Sequence, residues 1–159
     1  MKLFIQLYHQ GAAGGATAEA WSASAIPNPM GRVVPLEMTK TQIDDVVAGF
    51  ATAAMRVRDC GLDGVDIHAS SGYLIHEFLS PALNKRNDEY GGDLAGRMRF
   101  LLEVIAAVKQ AVGDDIVVGV RIPNEDYVPE GLAAEDNALI AAAIDPLADY
   151  ISMHMGAYW

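Results

Sequence analysis

The sequence predicts an α/β protein of the TIM-type (β/α) barrel class, in which parallel strands alternate with helices on the outer face. Two observations favour this class: short β-rich apolar segments alternate with helical patterns, and the loops after the strands are longer than those before them. Such alternation forms right-handed parallel crossovers. In TIM barrels, the loops after the strands carry the functional residues. We therefore expect the chemistry at the carboxyl ends of the strands.

Four strands are predicted, which is half the number in a complete barrel. They span residues 3–8, 64–68, 116–122 and 148–154. An eight-stranded barrel usually needs about 250 residues, and this chain has 159. We therefore expect a single partial barrel domain over residues 1–159, either a piece of a larger barrel or half of a pair. A doubly wound sheet is the competing architecture, but no glycine-rich G-x-G-x-x-G turn follows any strand.

Three helices are predicted between the strands. Thr39 and Gln42 form a capping-box pattern, apolar residues then follow at helical spacing, and Gly61 is placed to end the helix. The second helix is predicted over residues 94–112 and the third, rich in alanine, over residues 134–144. They separate the strands as barrel helices do.

Composition excludes several kinds of protein. The formal net charge of −10 and a pI near 4.6 disfavour binding to nucleic acid and to anionic membrane surfaces. No apolar run of 18 residues is present, and the N-terminal segment turns polar too soon for a secretory signal. The single cysteine, Cys60, is expected to be a buried thiol at a helix end, and one unpaired cysteine is typical of the reducing cytoplasm. We therefore expect a cytoplasmic protein.

Strand periodicity places polar residues of all four strands on one face. Alternate residues of a strand point to the same side of a sheet. The residues so grouped are Gln6 with Tyr8, Asp66 with His68, Arg121 with Val117 and Gly119, and Ser152 with His154. Several polar side chains that converge in this way indicate a functional site.

Arg121 and Gln6 are the most informative members of this face. A buried guanidinium needs a partner, which would be either an inward carboxylate such as Asp66 or a bound group that carries or develops negative charge. The Gln6 amide offers a donor and an acceptor, which suits an amide or imide edge. The two interpretations of Arg121 remain open from the sequence.

The stretch HASSGYLIHEFLSP, residues 68–81, follows the second strand and contains a histidine and a tyrosine five residues apart. Imidazole and phenol both hold or transfer protons. Either residue could instead be structural, His68 as a core histidine and Tyr73 as a packing residue of a short helix. His76, on that helix, is interpreted as structural.

The segments QLYHQGA, PLEMTKTQI and GLDGVDIHASSGYLIHEFLSPALNKRNDEYGGDLAGRMRFLLEVIAAVKQAVGDDIVVGVRI resemble the Old Yellow Enzyme family of FMN-dependent oxidoreductases. The resemblance covers nearly the whole chain. It implies a TIM barrel that binds FMN at its mouth, of which this chain corresponds to the third through sixth strands. It also implies hydride transfer from NAD(P)H through FMN to the activated double bond of a small molecule.

The resemblance assigns a role to four residues. Gln6 matches the glutamine that hydrogen-bonds the pyrimidine side of the flavin. Arg121 matches the arginine beside flavin N1 and O2, where negative charge develops. His68 matches the histidine that binds the substrate oxygen, and Tyr73 matches the tyrosine that donates a proton to the substrate carbon.

The chain departs from the family pattern at two places. The family often has a second histidine or an asparagine three residues after the first, but Ser71 stands there with a shorter side chain. The substrate-binding set implied here is therefore His68, Ser71 and Tyr73. The strands that hold the FMN phosphate in the family are also absent from the chain. We therefore expect the rest of the barrel, or a second copy, as a partner.

Two alternatives come from other classes of protein. A metal-dependent barrel hydrolase would use His9, His68 and His154 at the strand ends, although His9 falls on the opposite face from Gln6. A non-catalytic half-barrel would keep the family sequence without a complete site. From the residues alone, both alternatives remain open. Our prediction for the favoured flavin interpretation is that the chain has no metal ligands.

Overall fold

The computed structural model describes residues 1–14, 19–27 and 33–155. The strands are β1 (Phe4–Leu7), β2 (Trp21–Ser22), β3 (Leu36–Glu37), β4 (Gly64–His68), β5 (Val117–Pro123) and β6 (Tyr150–His154). The α-helices are α1 (Lys40–Asp59), α2 (Leu74–Leu79), α3 (Leu94–Val112) and α4 (Ala134–Ile144), and a 3₁₀ turn spans Gly11–Gly14. Within these ranges no helix has the length and apolar character needed to cross a lipid bilayer.

The main sheet has four parallel strands in the order β1, β4, β5, β6. The predicted strands are therefore parallel neighbours in chain order, as in an arc of a TIM-type barrel, and the predicted fold class is confirmed. Within the long loop after β1, sequence analysis missed a second, two-stranded parallel sheet in which Trp21 pairs with Leu36. Two-residue strands leave no periodic pattern in a sequence, so they could not be predicted.

The hydrophobic core lies between the helices and the outer face of the sheet. Side chains of β4 and β5 that point to this side have no exposed surface: Val65, Ile67, Val118, Val120 and Ile122. They pack against buried residues of α1, α3 and α4, among them Phe50, Leu101, Ile105 and Ile140. The helices therefore cover one face of the sheet, as predicted, and leave the other for polar side chains.

The ends of α1 follow from its sequence. The Thr39 hydroxyl accepts from the Gln42 backbone N–H at 3.3 Å, while the Gln42 carbonyl oxygen accepts from the Thr39 N–H at 2.9 Å. Gly61 has φ of 74°, and the N–H groups of Gly61 and Leu62 close the helix on the carbonyls of Arg58 and Val57. This is a Schellman end, which requires the left-handed conformation that glycine adopts without strain.

The prediction of a buried thiol at Cys60 is wrong, because the residue is exposed. Cys60 is the C-cap of α1, so it follows the last helical turn that packs on the sheet. The buried residues of the helix are Ile43, Phe50, Ala54 and Val57. Cys60 is close in sequence to these buried residues, but it lies beyond the end of the helix and is therefore not buried with them.

The inner face of the sheet is filled at its amino-terminal half by two aromatic rings that lie over glycines. Phe4 and Tyr150 meet edge to face with ring centroids 6.0 Å apart, across the two strands between them. A Cβ at Gly119 would lie 2.0 Å from the Tyr150 ring, and one at Gly64 would lie 2.4 Å from the Phe4 ring. The two glycines therefore make room for these rings, and the polar site begins above them.

Candidate active site

An open cleft of about 370 Å³ lies at the carboxyl ends of the four main strands. Its lining brings together all five residues to which sequence analysis gave a role in the site, together with two that it placed on the same polar face without a role there. The lining residues are Gln6, Tyr8, His68, Ser71, Tyr73, Arg121 and His154. Residues from four strands, which are far apart in the chain, thus share one cavity.

Strand register accounts for the convergence of Gln6, His68 and Arg121. Gln6 pairs with Asp66 across β1 and β4, and His68 pairs with Arg121 across β4 and β5. Paired residues in a parallel sheet point to the same face. His68 and Arg121 are therefore direct neighbours at the mouth of the arc.

Tyr73 reaches the cleft through a tight turn after β4. Ser71 and Gly72 both adopt positive φ, at 64° and 76°. For a non-glycine residue such as Ser71 this conformation is uncommon, and it often occurs at functional sites. The turn places the Tyr73 ring 5.2 Å from the His68 ring and 5.1 Å from the Tyr8 ring, measured between centroids.

The expected alternative partner of Arg121, the carboxylate of Asp66, is engaged elsewhere. Gln6 Nε2 donates to Asp66 Oδ2 at 2.7 Å, and the Tyr150 hydroxyl donates to Asp66 Oδ1 at 3.1 Å. Burial, followed by the nearby Asp66 charge, raises the pKa of Tyr150 to about 12, so the phenol stays protonated as this donor.

Arg121 is left with unused hydrogen-bonding capacity. Its Nε is buried without a hydrogen-bond partner among the described residues, and within them the guanidinium forms no ion pair. An unpaired buried donor is costly in free energy. The salt-bridge interpretation of Arg121 is therefore wrong, and its charge remains directed at the cleft.

His68 is uncharged at neutral pH. Burial, together with the positive charge of Arg121, lowers the pKa of its imidazole to about 4, and the opposing effect of the Asp66 carboxylate does not offset them. A neutral imidazole has one N–H donor and one acceptor nitrogen. Ser70 Oγ lies 3.3 Å from His68 Nδ1, which leaves Nε2 as the nitrogen for a ligand.

Ser71, the residue that replaces the family's second donor, is directed at a histidine of β6. Its hydroxyl is nearly fully buried and lies 3.4 Å from His154 Nδ1 and 3.4 Å from Ser70 Oγ. Tyr8 and His154 are the two cleft residues that sequence analysis placed on the polar face without giving them a role in the flavin site. Their strand periodicity was the available signal, because each shares a face with a polar residue of its own strand.

His9 does not join His68 and His154, as a metal-dependent hydrolase would require. Its ring stacks on Trp21 at 6.4 Å with an interplanar angle of 8°, and its Nδ1 accepts from the Gly11 N–H. In the part of the chain that the structure describes, no three His, Cys, Asp or Glu side chains are grouped to hold a metal ion. The structure gives the hydrolase alternative no ligand set.

Comparison with known proteins shows which family has this arrangement. The model of the NADH:flavin oxidoreductase / NADH oxidase family matches residues 1–158. A metal reductase of Desulforamulus reducens is 48% identical over 131 residues, which is 80% of this chain and 20% of that protein. An NADPH dehydrogenase of Bacillus cytotoxicus is 44% identical over 135 residues, which is 85% of this chain and 38% of that protein.

Solved structures show the same architecture. Histamine dehydrogenase from Rhizobium sp. 4-9 superposes with a TM-score of 0.90 at 28% identity, over 99% of this chain and 24% of that chain. The chain thus spans 20% and 38% of the length of the two curated relatives above.

Proposed function

The chain belongs to the NADH:flavin oxidoreductase / NADH oxidase family, that of the Old Yellow Enzymes, and we propose that the complete protein is an FMN-dependent ene-reductase. It would take reducing equivalents from NAD(P)H and reduce the activated double bond of a small α,β-unsaturated carbonyl or enoyl compound. The observation that carries the proposal is the 5.2 Å approach of the His68 and Tyr73 rings inside the cleft. Such a reduction needs one group that holds the substrate oxygen and one that delivers a proton.

The residues of the cleft fit the flavin that the family binds. Arg121 presents a buried Nε without a partner among the described residues, and Gln6 is exposed on β1, with β4 between the two strands. Arg121 would hold the flavin ring where negative charge develops, since a fixed cation favours that charge. Gln6 would bind the imide edge with its amide. When bound, FMN supplies the hydride.

His68 would bind the substrate oxygen. In the tautomer in which Nδ1 accepts from the Ser70 hydroxyl, the imidazole proton would lie on Nε2 and would donate to the carbonyl oxygen. This polarises the double bond, so that hydride adds to the β-carbon and electron density moves to the α-carbon and the oxygen. The neutral imidazole still carries one N–H donor, so His68 can fill this role at pH 7.

Tyr73 would complete the reaction. Its hydroxyl gives a proton to the α-carbon, which takes up the electron pair of the former double bond. The phenolate then recovers a proton from solvent. The overall change is one hydride and one proton added across the double bond, so atoms and charge balance.

The domain organisation is also a proposal. We infer that residues 1–159 are one partial barrel domain, completed by further βα units or by a second copy. Among the described residues β1 and β6 each pair on one side only within the main sheet. The FMN phosphate would be held by the completing segments.

A second candidate function is the oxidation of an amine. The structural similarity to histamine dehydrogenase favours it, as does Ser71 at the position of the family's second oxygen-binding donor. In that case the substrate would reduce the flavin, and NAD(P)H would not be needed.

Anaerobic mixing of the complete purified protein distinguishes these functions. We expect bound FMN whose absorbance is bleached by NADH or NADPH and restored by an enone. Bleaching by a primary, secondary or tertiary amine, with none by NAD(P)H, would replace the first candidate with the second. A complete protein without flavin would contradict both.

A further inference from the structure

A chain of buried hydrogen bonds joins the loop after β5 to the turn that carries Tyr73. The Gly72 N–H donates to His76 Nδ1 at 2.8 Å, and His76 Nε2 lies 2.7 Å from Asp126 Oδ1. The other oxygen of Asp126 accepts from the Ser80 hydroxyl at 2.7 Å and from the Leu132 N–H at 2.8 Å. The side chains of His76 and Asp126 have no exposed surface.

The protonation of this chain follows from the Gly72 contact. A backbone N–H can only donate, so His76 Nδ1 must be the acceptor nitrogen. In the neutral imidazole the proton then lies on Nε2, which donates to Asp126. Burial raises the pKa of the Asp126 carboxyl, but its hydrogen bonds to His76, Leu132 and Ser80 outweigh burial and hold the pKa below its usual value. The direction of every hydrogen bond in the chain is therefore determined.

The amide that His76 accepts from lies at the strained part of the turn. Ser71 and Gly72 are consecutive residues with positive φ, and the Gly72 N–H lies between them. Tyr73 follows directly as the N-cap of α2, and its own side chain makes no cap hydrogen bond. Rotation of the peptide plane between Ser71 and Gly72 would therefore change the direction in which the backbone enters Tyr73.

We propose that His76 is a positioning residue for Tyr73, acting through the Gly72 amide, with Asp126 holding the imidazole in the required tautomer. The proposal rests on the proposed role of Tyr73 as proton donor. Because Asp126 belongs to the loop after β5 and Tyr73 to the loop after β4, the network also ties two loops of the cleft together.

Two substitutions separate the two hydrogen bonds of the imidazole. The short amide of His76→Asn can place its oxygen near the Nδ1 position and keep the bond from Gly72, while losing Asp126. The longer amide of His76→Gln can reach Asp126 and loses Gly72. Ser80→Ala is the matched control, since it removes a bond of Asp126 without changing either bond of His76.

The measurement is the rate of alkene reduction relative to flavin reduction by NAD(P)H, in the complete flavin-loaded protein. We expect His76→Gln to lower this ratio about tenfold to a hundredfold, the loss typical of a misplaced catalytic group. His76→Asn and Ser80→Ala should keep the ratio within about threefold of the unmodified protein although both lower the melting temperature. A ratio unchanged in His76→Gln, or one that falls in all three variants in step with melting temperature, would overturn the proposal.

A second measurement does not depend on turnover or on folding of a variant. In the unmodified protein, the Gly72 amide should exchange with deuterium far more slowly than an exposed loop amide, and NMR should show contacts between the Tyr73 and His68 rings. Rapid exchange at Gly72 would overturn the proposal even if alkene reduction is observed. Slow exchange with ring contacts, in a protein that reduces no alkene, would support the positioning and reject only the proposed reaction.

Discussion

The rings of His68 and Tyr73 lie 5.2 Å apart between centroids, inclined at 56°, at the mouth of a four-stranded arc. One ring comes from the end of β4 and the other from the turn that follows it. A molecule bound between these two rings and Arg121 would contact two groups at once. One could donate a hydrogen bond to its oxygen, and the other could supply a proton.

The first prediction concerns the proton donor. Tyr73→Phe removes the hydroxyl and keeps the ring, so alkene reduction should slow by about 10²–10⁴-fold, the usual contribution of a general acid. Flavin reduction by NAD(P)H does not use this proton and should be unchanged. Rapid-mixing kinetics of the complete protein separate the two half-reactions, and equal slowing of both would reject Tyr73 as the donor.

The second prediction concerns binding of the substrate oxygen. His68→Ala should weaken phenol-type ligands about tenfold, because it removes one hydrogen bond from a partly desolvated site. His9→Ala is the control, since His9 stacks on Trp21 outside the cleft, and it should leave affinity within about twofold. Ligand titration measures both. Equal weakening by the two variants would show that His68 does not contact the ligand.

The third prediction is a loss of stability in acid that depends on His68. Its pKa is lowered to about 4 by burial and by Arg121, against about 6.5 in an unfolded chain. Between these values the unfolded chain binds a proton that the folded protein does not. The contribution of His68 is therefore complete above pH 6.5 and falls as the pH drops toward 4.

Urea unfolding of the complete protein at pH 7, 6 and 5 measures this effect. His68→Gln should show a smaller decrease in the free energy of unfolding over this range than the unmodified protein. The other histidines are present in both proteins, so the difference reports on His68 alone. Parallel curves would mean that His68 has an ordinary pKa in the folded protein.

The fourth prediction tests the packing of the inner face. Gly119→Ala should destabilise the complete protein by about 1–3 kcal/mol, a typical cost of overpacking, because the added Cβ would lie 2.0 Å from the Tyr150 ring. In a Tyr150→Ala background that conflict is absent, so the same substitution should cost much less. A double-mutant cycle of unfolding free energies gives the coupling, and additive effects would contradict the packing described.

The fifth prediction is that residues 1–159 expressed alone do not form a stable monomeric yellow protein. Large apolar side chains in or beside the two edge strands, β1 and β6, are exposed to solvent. They are Leu3, Ile5, Tyr8 and Met153, with exposed fractions of 47%, 36%, 51% and 54%. Unpaired strand edges and exposed apolar surface favour association. We expect aggregation, a molten state or dimerisation, with weak FMN binding.

Flavin absorbance and light scattering of the purified chain test this prediction together. A monomer that holds one FMN tightly would contradict it and would show that the arc alone builds the site. If residues 1–159 fold without binding flavin and the complete protein shows no turnover, these results would instead support the alternative of a non-catalytic half-barrel.

Local sequence patterns predicted the order of the main elements and the face on which each strand residue lies. These properties are local, because they depend on hydrophobic periodicity and on end signals such as the Thr39–Gln42 box and Gly61. Strand periodicity placed His68 and Arg121 on one face, and the motif after β4 brought Tyr73 into consideration. Each of these inferences used residues within one element or one turn.

Which side chains are partners depends on the tertiary structure. Asp66 is engaged by Gln6 and by Tyr150, which are 60 and 84 residues away in the chain, and among the described residues Arg121 forms no ion pair with it. The same is true of the His76–Asp126 contact, 50 residues apart. A polar residue can have several possible partners on a shared face. The choice among them depends on strand register and on distances of a few ångströms, which no local pattern in the sequence encodes.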